Sequence, residues 1–177
     1  LICVALRTSG RETTMAVPVT ASSAIERLAA AFRGYVVRTQ ANPRAMMEKA
    51  IEARVRMGEA SLPHFQPVMD GVFALAVILE YLAREETTLS AFAQIAPRSY
   101  MTKQVVDCPW EDKGRVMRRL IEETDGEEVQ LIDGIKVYSD HGWTLILPDS
   151  EEPLFHVYSE AHSQEIAEEI AGIYVSR

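Results

Sequence analysis

The stretch GWTLILPDSEEPLFHVYSEA, residues 142–161, sets two apolar runs on either side of a tight turn that carries Asp149, Glu151 and Glu152. So short a gap between apolar runs implies antiparallel pairing, and WTLIL and LFHVYSEA are therefore read as neighbouring strands. Working backwards, VQLID (129–133) and IKVYS (135–139) come first, with Gly134 and the SDHG turn marking hairpins. KQVVDC (103–108) reads as a further strand. The helix after it opens at Pro109 and has Glu111 and Asp112 in its first turn, where acids favour the positive end of the helix dipole. It runs to Glu123, with Val116, Met117, Leu120 and Ile121 on one side and Arg115, Arg118 and Arg119 largely on the other. Ser163 caps a last helix whose Ile166, Ala167, Ile170 and Tyr174 face inward. With IKVYS and WTLIL taken together as one hairpin, the order is β-α-β-β-β-α. This is an α+β domain, an antiparallel sheet with two helices on one face.

Upstream of APRSYM (96–101) the pattern is different. TMAVPVT (14–20) and YVVRT (35–39) read as strands. Between them Ser23 and Glu26 are spaced as a capping box, Ile25, Leu28, Ala29 and Phe32 lie on one helix face, and Gly34 ends the helix. A strand-helix-strand unit of this length predicts parallel strands with a right-handed crossover. Asn42 and Pro43 open a second helix with Met46, Met47, Ala50, Ile51 and Val55 inward, Asp70 caps a third over 71–84, and Thr88 caps a short fourth. VFALAVIL (72–79), far short of the roughly 20 residues that span a bilayer, is expected to be a buried core helix. This half is an α/β domain with a mixed sheet covered by helices, and the domains are placed at 1–97 and 98–177.

With 177 residues and 47% apolar content the chain holds two small domains. Its 26 acidic and 18 basic residues, net charge −8, argue against a nucleic-acid or anionic-membrane surface, which needs a basic face. Cys3 and Cys108 have no CxxC spacing, so neither a disulfide framework nor a structural zinc site is expected, and a reducing cytoplasm is the natural compartment. LICVALRTSG at the start lacks the basic leader and apolar core of a signal peptide and reads as the tail of a helix belonging to something longer.

Over nearly its whole length the chain resembles the last two domains of the α-D-phosphohexomutases, the phosphoglucomutase and phosphomannomutase family. The resemblance rests on VPVTASSAIERLA, on Gly58, Glu59 and Ser61 followed by Asp70 and Gly71, and on DGIKV leading into the stretch quoted first. CPWEDKGRVMRRL is closer to the mutase-like region fused behind a nucleotidyltransferase in bacterial mannose-1-phosphate guanylyltransferase-like proteins. The resemblance implies a phosphoserine and a magnesium-holding acidic loop on upstream domains of the same polypeptide. It thus implies no catalytic residue, metal or cofactor in this chain, with those domains and a sugar phosphate as partners.

In the family, a Gly-Glu-x-Ser-Gly loop of the third domain grips sugar hydroxyls. Here it reads Gly58, Glu59, Ala60, Ser61, Leu62, with Pro63 in place of a usual histidine. Glu59, Ser61 and His64 are the candidate substrate-binding residues, and the bland alternative is a loop capped by its own Glu and Ser. The fourth domain's phosphate loop reads Arg-Pro-Ser-Gly-Thr-Glu-Pro with an arginine soon after. Here it reads Leu147, Pro148, Asp149, Ser150, Glu151, Glu152, Pro153, with His156 where that arginine is expected. Leu147 removes a bidentate fork, and Asp149 and Glu151 put carboxylates where donors are needed. A carboxylate about 4 Å from one phosphate charge costs on the order of 4 kcal/mol at an effective dielectric near 20. The loop is expected not to hold phosphate, which makes the chain a degenerate structural or regulatory module. The alternative is part of a working mutase whose phosphate meets Arg115, Arg118 and Arg119.

Other candidates have plainer readings. His156, alternating with Phe155 and Val157, is a half-exposed sheet residue; Cys108 before Pro109 is an inert thiol; Asp140, His141 and His162 lack a metal-site spacing.

Overall fold

The computed structural model describes Val4, residues 14–57 and residues 70–176, without the side chains of 53–57. It divides into two compact units, Leu1–Pro97 and Arg98–Arg177.

In the first unit, strands β1 (Thr14–Pro18) and β2 (Tyr35–Thr39) pair in parallel, Met15 opposite Val36 and Pro18 opposite Thr39. Pro18 is the last paired residue, so its missing N–H interrupts no ladder. Helix α1 (Ala24–Ala31) packs Ala29, Ile25, Leu28 and the following Phe32 on Met15 and Val36, which is the face the spacing predicts. The ends of α1 differ from expectation. Ser23 makes no side-chain cap, because its backbone is already helical (φ −68, ψ −9) rather than extended; Ser22 Oγ accepts from Ala24 N at 3.0 Å instead, and Glu26 is committed elsewhere. Arg38 of β2 takes both Glu26 oxygens at 2.7 Å and donates to the carbonyls of Pro18, Ala21 and Ser22 at 3.0, 2.6 and 3.1 Å. At the other end the left-handed residue is Arg33 (φ 57) rather than Gly34, whose N–H closes the turn on Ala29 O at 2.8 Å.

Helix α2 (Pro43–Met57) is capped by Asn42 Oδ1 on Ala45 N at 2.8 Å. Ala50 is buried, whereas Met47 and Ile51 are exposed, and Val55 lies outside the described side chains. Helix α3 (Gly71–Arg84) begins where Asp70 predicts, Oδ1 accepting from Val72 and Phe73 N. It is not the buried core helix its composition suggests: Ala74 and Tyr81 are buried, while Val72, Leu75 and Leu79 are 81, 58 and 57% exposed. An apolar run specifies low polarity on every face, and only one face of α3 is packed. The short α4 (Leu89–Ala93) is capped by Thr88 and stacks Phe92 on Tyr81 at 5.0 Å between ring centroids.

The second unit is a five-stranded antiparallel sheet in the order β3-β7-β6-β5-β4: β3 Tyr100–Asp107, β4 Glu128–Gln130, β5 Ile135–Ser139, β6 Gly142–Pro148, β7 Leu154–Ala161. The α+β class holds, with five strands because IKVYS and WTLIL are separate strands that pair across the Asp140–His141 turn. Helices α5 (Trp110–Glu123) and α6 (Gln164–Val175) cover the face that carries Ile135, Val137, Ile146, Phe155 and Val157. Leu120 and Cys108 complete that core, and Ala161, Ala167 and Ile170 form a second cluster beneath α6. Burying each large aliphatic here contributes about 1.5–3 kcal/mol. On the opposite face Lys136 is 1% exposed, its Nζ 3.6 Å from the Trp143 ring centroid, and Trp143 Nε1 donates to buried Glu160 at 2.8 Å. The 142–161 stretch therefore supplies two neighbouring strands inside the sheet, and the turn at 149–153 stands at its end, beside the start of α5.

Candidate functional site

Glu59, Ser61 and His64 lie outside the described residues, so the site that can be built is the turn between β6 and β7. Its frame is backbone: Asp149 N donates to Leu154 O at 3.1 Å, Leu154 N to Glu152 O at 2.9 Å, and Cys108 N to Pro153 O at 2.7 Å. Inside this frame the Asp149 carboxylate does not project outward. Oδ1 accepts from the backbone N–H groups of Glu151 and Glu152 at 2.7 and 2.8 Å, and Oδ2 lies 2.9 Å from His156 Nε2. Three donors converge on one carboxylate, which is the arrangement an oxyanion needs. The anion is supplied by the chain itself.

His156 reaches the turn because the period-2 alternation of β7 puts it, opposite Leu147 of β6, on the face away from the helices. Its Nδ1 is buried without a hydrogen-bond partner. The neutral tautomer with the proton on Nε2 leaves no buried N–H unpaired, so Nε2 donates to Asp149. The sequence reading set His156 at the position of the loop's later arginine and as a half-exposed sheet residue; its bond to Asp149 has no local signal in the sequence.

The carbonyl side of the turn is held as well. Lys113, buried on the first turns of α5, donates from Nζ to Asp149 O and Glu152 O at 2.6 and 2.5 Å, and the same ammonium lies 3.9 Å from the Trp110 ring centroid. Lys113 is a component the sequence reading missed, because a lysine inside an acidic first helical turn reads as a solvated residue and its partners lie 36 and 39 positions away. Ser150 and Glu151 are exposed, and Leu147 is half-buried.

The hydrogen bonds fix the electrostatics. Donation by the N–H of Glu151, then that of Glu152, and then by His156, holds the Asp149 carboxyl below the usual carboxylate range. A group with a lowered folded-state pKa stabilises the fold fully above its unfolded value, near 4, and loses that contribution as pH falls through the lower folded value. Asp149→Asn keeps the acceptor but not the titration. Urea midpoints measured between about pH 5 and 2 should fall less steeply for the variant than for the wild type. Coincident pH profiles would show that the carboxylate is not coupled to folding.

Among the described residues no group of three or more His, Cys, Asp and Glu could hold a metal ion, and no helix is long and apolar enough to cross a membrane.

No family model matches the sequence. A curated protein of Methanopyrus kandleri, described as a probable phosphoglucosamine mutase, is 33% identical over 171 residues, which cover 91% of this chain and 37% of that protein. One of Pyrococcus horikoshii with the same description is 31% identical over 146 residues, 77% of this chain and 32% of that protein. The fold matches a phosphoglucomutase/phosphomannomutase family protein of Burkholderia thailandensis with a TM-score of 0.73 at 18% identity, over 97% of this chain and 39% of that one. The chain belongs to the α-D-phosphohexomutase family. The chain spans about a third of the length of the curated relatives it matches. An N-acetylphosphoglucosamine mutase of Aspergillus fumigatus shares the fold too, with a TM-score of 0.69 at 10% identity over 99% of this chain and 42% of the fungal one.

Proposed function

We propose that this chain is a non-catalytic structural or regulatory part of a cytoplasmic phosphohexomutase-like protein of sugar-phosphate metabolism, its two units standing as the third and fourth domains. The carrying observation is the Asp149 carboxylate seated on the N–H groups of Glu151 and Glu152 and on His156. An incoming phosphate meets a fixed negative charge and donors already in use, and displacing the carboxylate would cost its three hydrogen bonds. Magnesium and the phosphoryl carrier belong to domains outside this chain.

The second reading is part of an active mutase acting on a hexosamine or hexose phosphate, and the descriptions of the relatives favour it. Titration of the amide-labelled chain with glucosamine 6-phosphate and mannose 1-phosphate separates the two. On the first reading Glu151, Glu152 and His156, and likewise Arg115, Arg118 and Arg119, show no shift up to about 10 mM ligand; saturable shifts at either group support the active mutase. The triple variant Leu147→Arg, Asp149→Ser, Glu151→Thr should acquire a weak, salt-sensitive response, because the backbone donors are already in place. Reading the coding sequence upstream tests the larger context: a serine loop and an aspartate-rich loop mark a mutase, a glycine-rich nucleotidyltransferase start marks the fusion.

A further inference from the structure

The sheet of the second unit ends on one side in β4, three residues long, and on the other in β3, eight residues long, whose one neighbour among the described residues is β7. The backbone groups of an antiparallel strand turn alternately to its two sides. Cys108 N donates to Pro153 O at 2.7 Å and continues the β3–β7 register, so the even-numbered residues of β3 bond to β7. The N–H and C=O groups of Met101, Lys103, Val105 and Asp107 therefore point away from the sheet, and they have no partner among the described residues. Lys103, Val105 and Asp107 are exposed, Val105 at 54%. An open edge of this length is a template for another strand.

The side chains select which strand. Neither Lys103 nor Asp107 forms an ion pair among the described residues, and Lys103 Nζ rests 5.3 Å from the Tyr158 ring centroid. Two copies of β3 laid antiparallel about a twofold axis at Val105 set Lys103 of each copy opposite Asp107 of the other, and Val105 opposite Val105. All three pairs are of the outward-bonding kind, so each exchanges two N–H···O=C bonds. An axis at Lys103 opposes two ammonium groups, and axes at Gln104 or Val106 set Asp107 against Met101 or Val105. Charge thus favours the first register alone. Past Cys108 the ladder stops, because Pro109 has no N–H.

We infer that the outer edge of β3 docks a second copy of this chain, edge to edge about Val105, joining two five-stranded sheets into one. Five paired residues a side bury far less than the roughly 1,600 Å² of a standard interface, so the dimer is weak and reversible, with a Kd of about 0.1–1 mM. The inference goes beyond the proposed function and holds for either reading of the turn at 149–153.

The test uses the whole 177-residue chain, followed by sedimentation equilibrium and amide NMR up to about 2 mM. The mean mass should rise with concentration, and the amides of Lys103, Val105 and Asp107 should shift and exchange more slowly while those of Thr102, Gln104 and Val106 stay as they are. Lys103→Glu and Asp107→Lys each turn both opposite-charge pairs into like-charge pairs, and each alone should weaken self-association at least about tenfold. An equimolar mixture of the two variants restores opposite charges at both pairs and should associate within about threefold of the wild type. Val105→Pro removes the outward N–H at the axis and no bond to β7, so it should abolish association while protection in β6 and β7 is kept. A chain that stays monomeric leaves the edge to some other strand and overturns the assignment. Association that survives Val105→Pro, or a mixture no tighter than its separate components, overturns it as well.

Discussion

Gly134→Ala is expected to destroy the native pairing of the second unit. Gly134 has φ +121, a region that L side chains rarely enter, and a Cβ built there falls 2.3 Å from the carbonyl oxygen of Ile146. That oxygen belongs to β6, whose Ile146 pairs with Ile135, so the clash is with sheet backbone and no side-chain rotation relieves it. The variant should lose about 3 kcal/mol or more, from backbone strain together with displacement of β5. Gly126→Ala is the control. Its φ is +90 but nothing lies within 4 Å of the added Cβ, so only the strain of about 1–3 kcal/mol remains. Amide exchange of Val137 and Ile146 reads the result, and equal protection in the two variants would show that the overlap is absorbed.

Arg38→Met should do comparable damage in the first unit, and for a different reason. The Arg38 side chain is 9% exposed and its guanidinium makes five hydrogen bonds, two of them a fork on Glu26. Methionine fills much of the volume and satisfies none of the three carbonyls at residues 18, 21 and 22. Breaking a buried pair typically costs 3–5 kcal/mol; because Glu26 is 42% exposed and its stranded carboxylate can be hydrated, about 2–4 kcal/mol is expected. Arg38→Lys keeps the charge but not the fork and should recover less than half of the loss. Exchange rates in β1 and β2, with the second unit as internal reference, measure both. A methionine variant indistinguishable from wild type would mean that the five bonds merely replace equivalent bonds to water.

The contrast between these groups shows what a single sequence discloses. LFHVYSEA is a strand with the predicted limits, and Asp70 starts α3 at the predicted residue, because a period of two and a capping carboxylate are written within a few consecutive positions. The parallel pairing of β1 with β2 follows from the length of their connection. The partners of Arg38 lie 12 to 20 positions away, those of Lys113 36 and 39, and that of Trp143 17; no local pattern signals them. Apolarity misleads in α3 because burial depends on what lies opposite a face. The acids of the 149–152 turn are visible in the sequence as a difference from the family's loop pattern, but their sign alone could not show Asp149 turned onto its own backbone. That geometry depends on His156 and Lys113 arriving from other elements.

The grip of Lys113 on two carbonyls bears on how many substitutions would convert this turn into an anion site. A loop that lacks one donor needs a single replacement to bind an oxyanion. Here the carbonyls of Asp149 and Glu152 are fixed toward α5 by one ammonium, and the opposing N–H groups are saturated by one carboxylate. Removing the carboxylate alone bares two amide donors without supplying a cation, while replacing Lys113 alone loosens the frame and leaves Asp149 in place. Each single change loses interactions of the turn, so on the proposed non-catalytic reading a phosphate site here needs both changes together. The two contacts hold opposite sides of one turn, and relatives with this turn are expected to keep Asp149 and Lys113 together or to lack both.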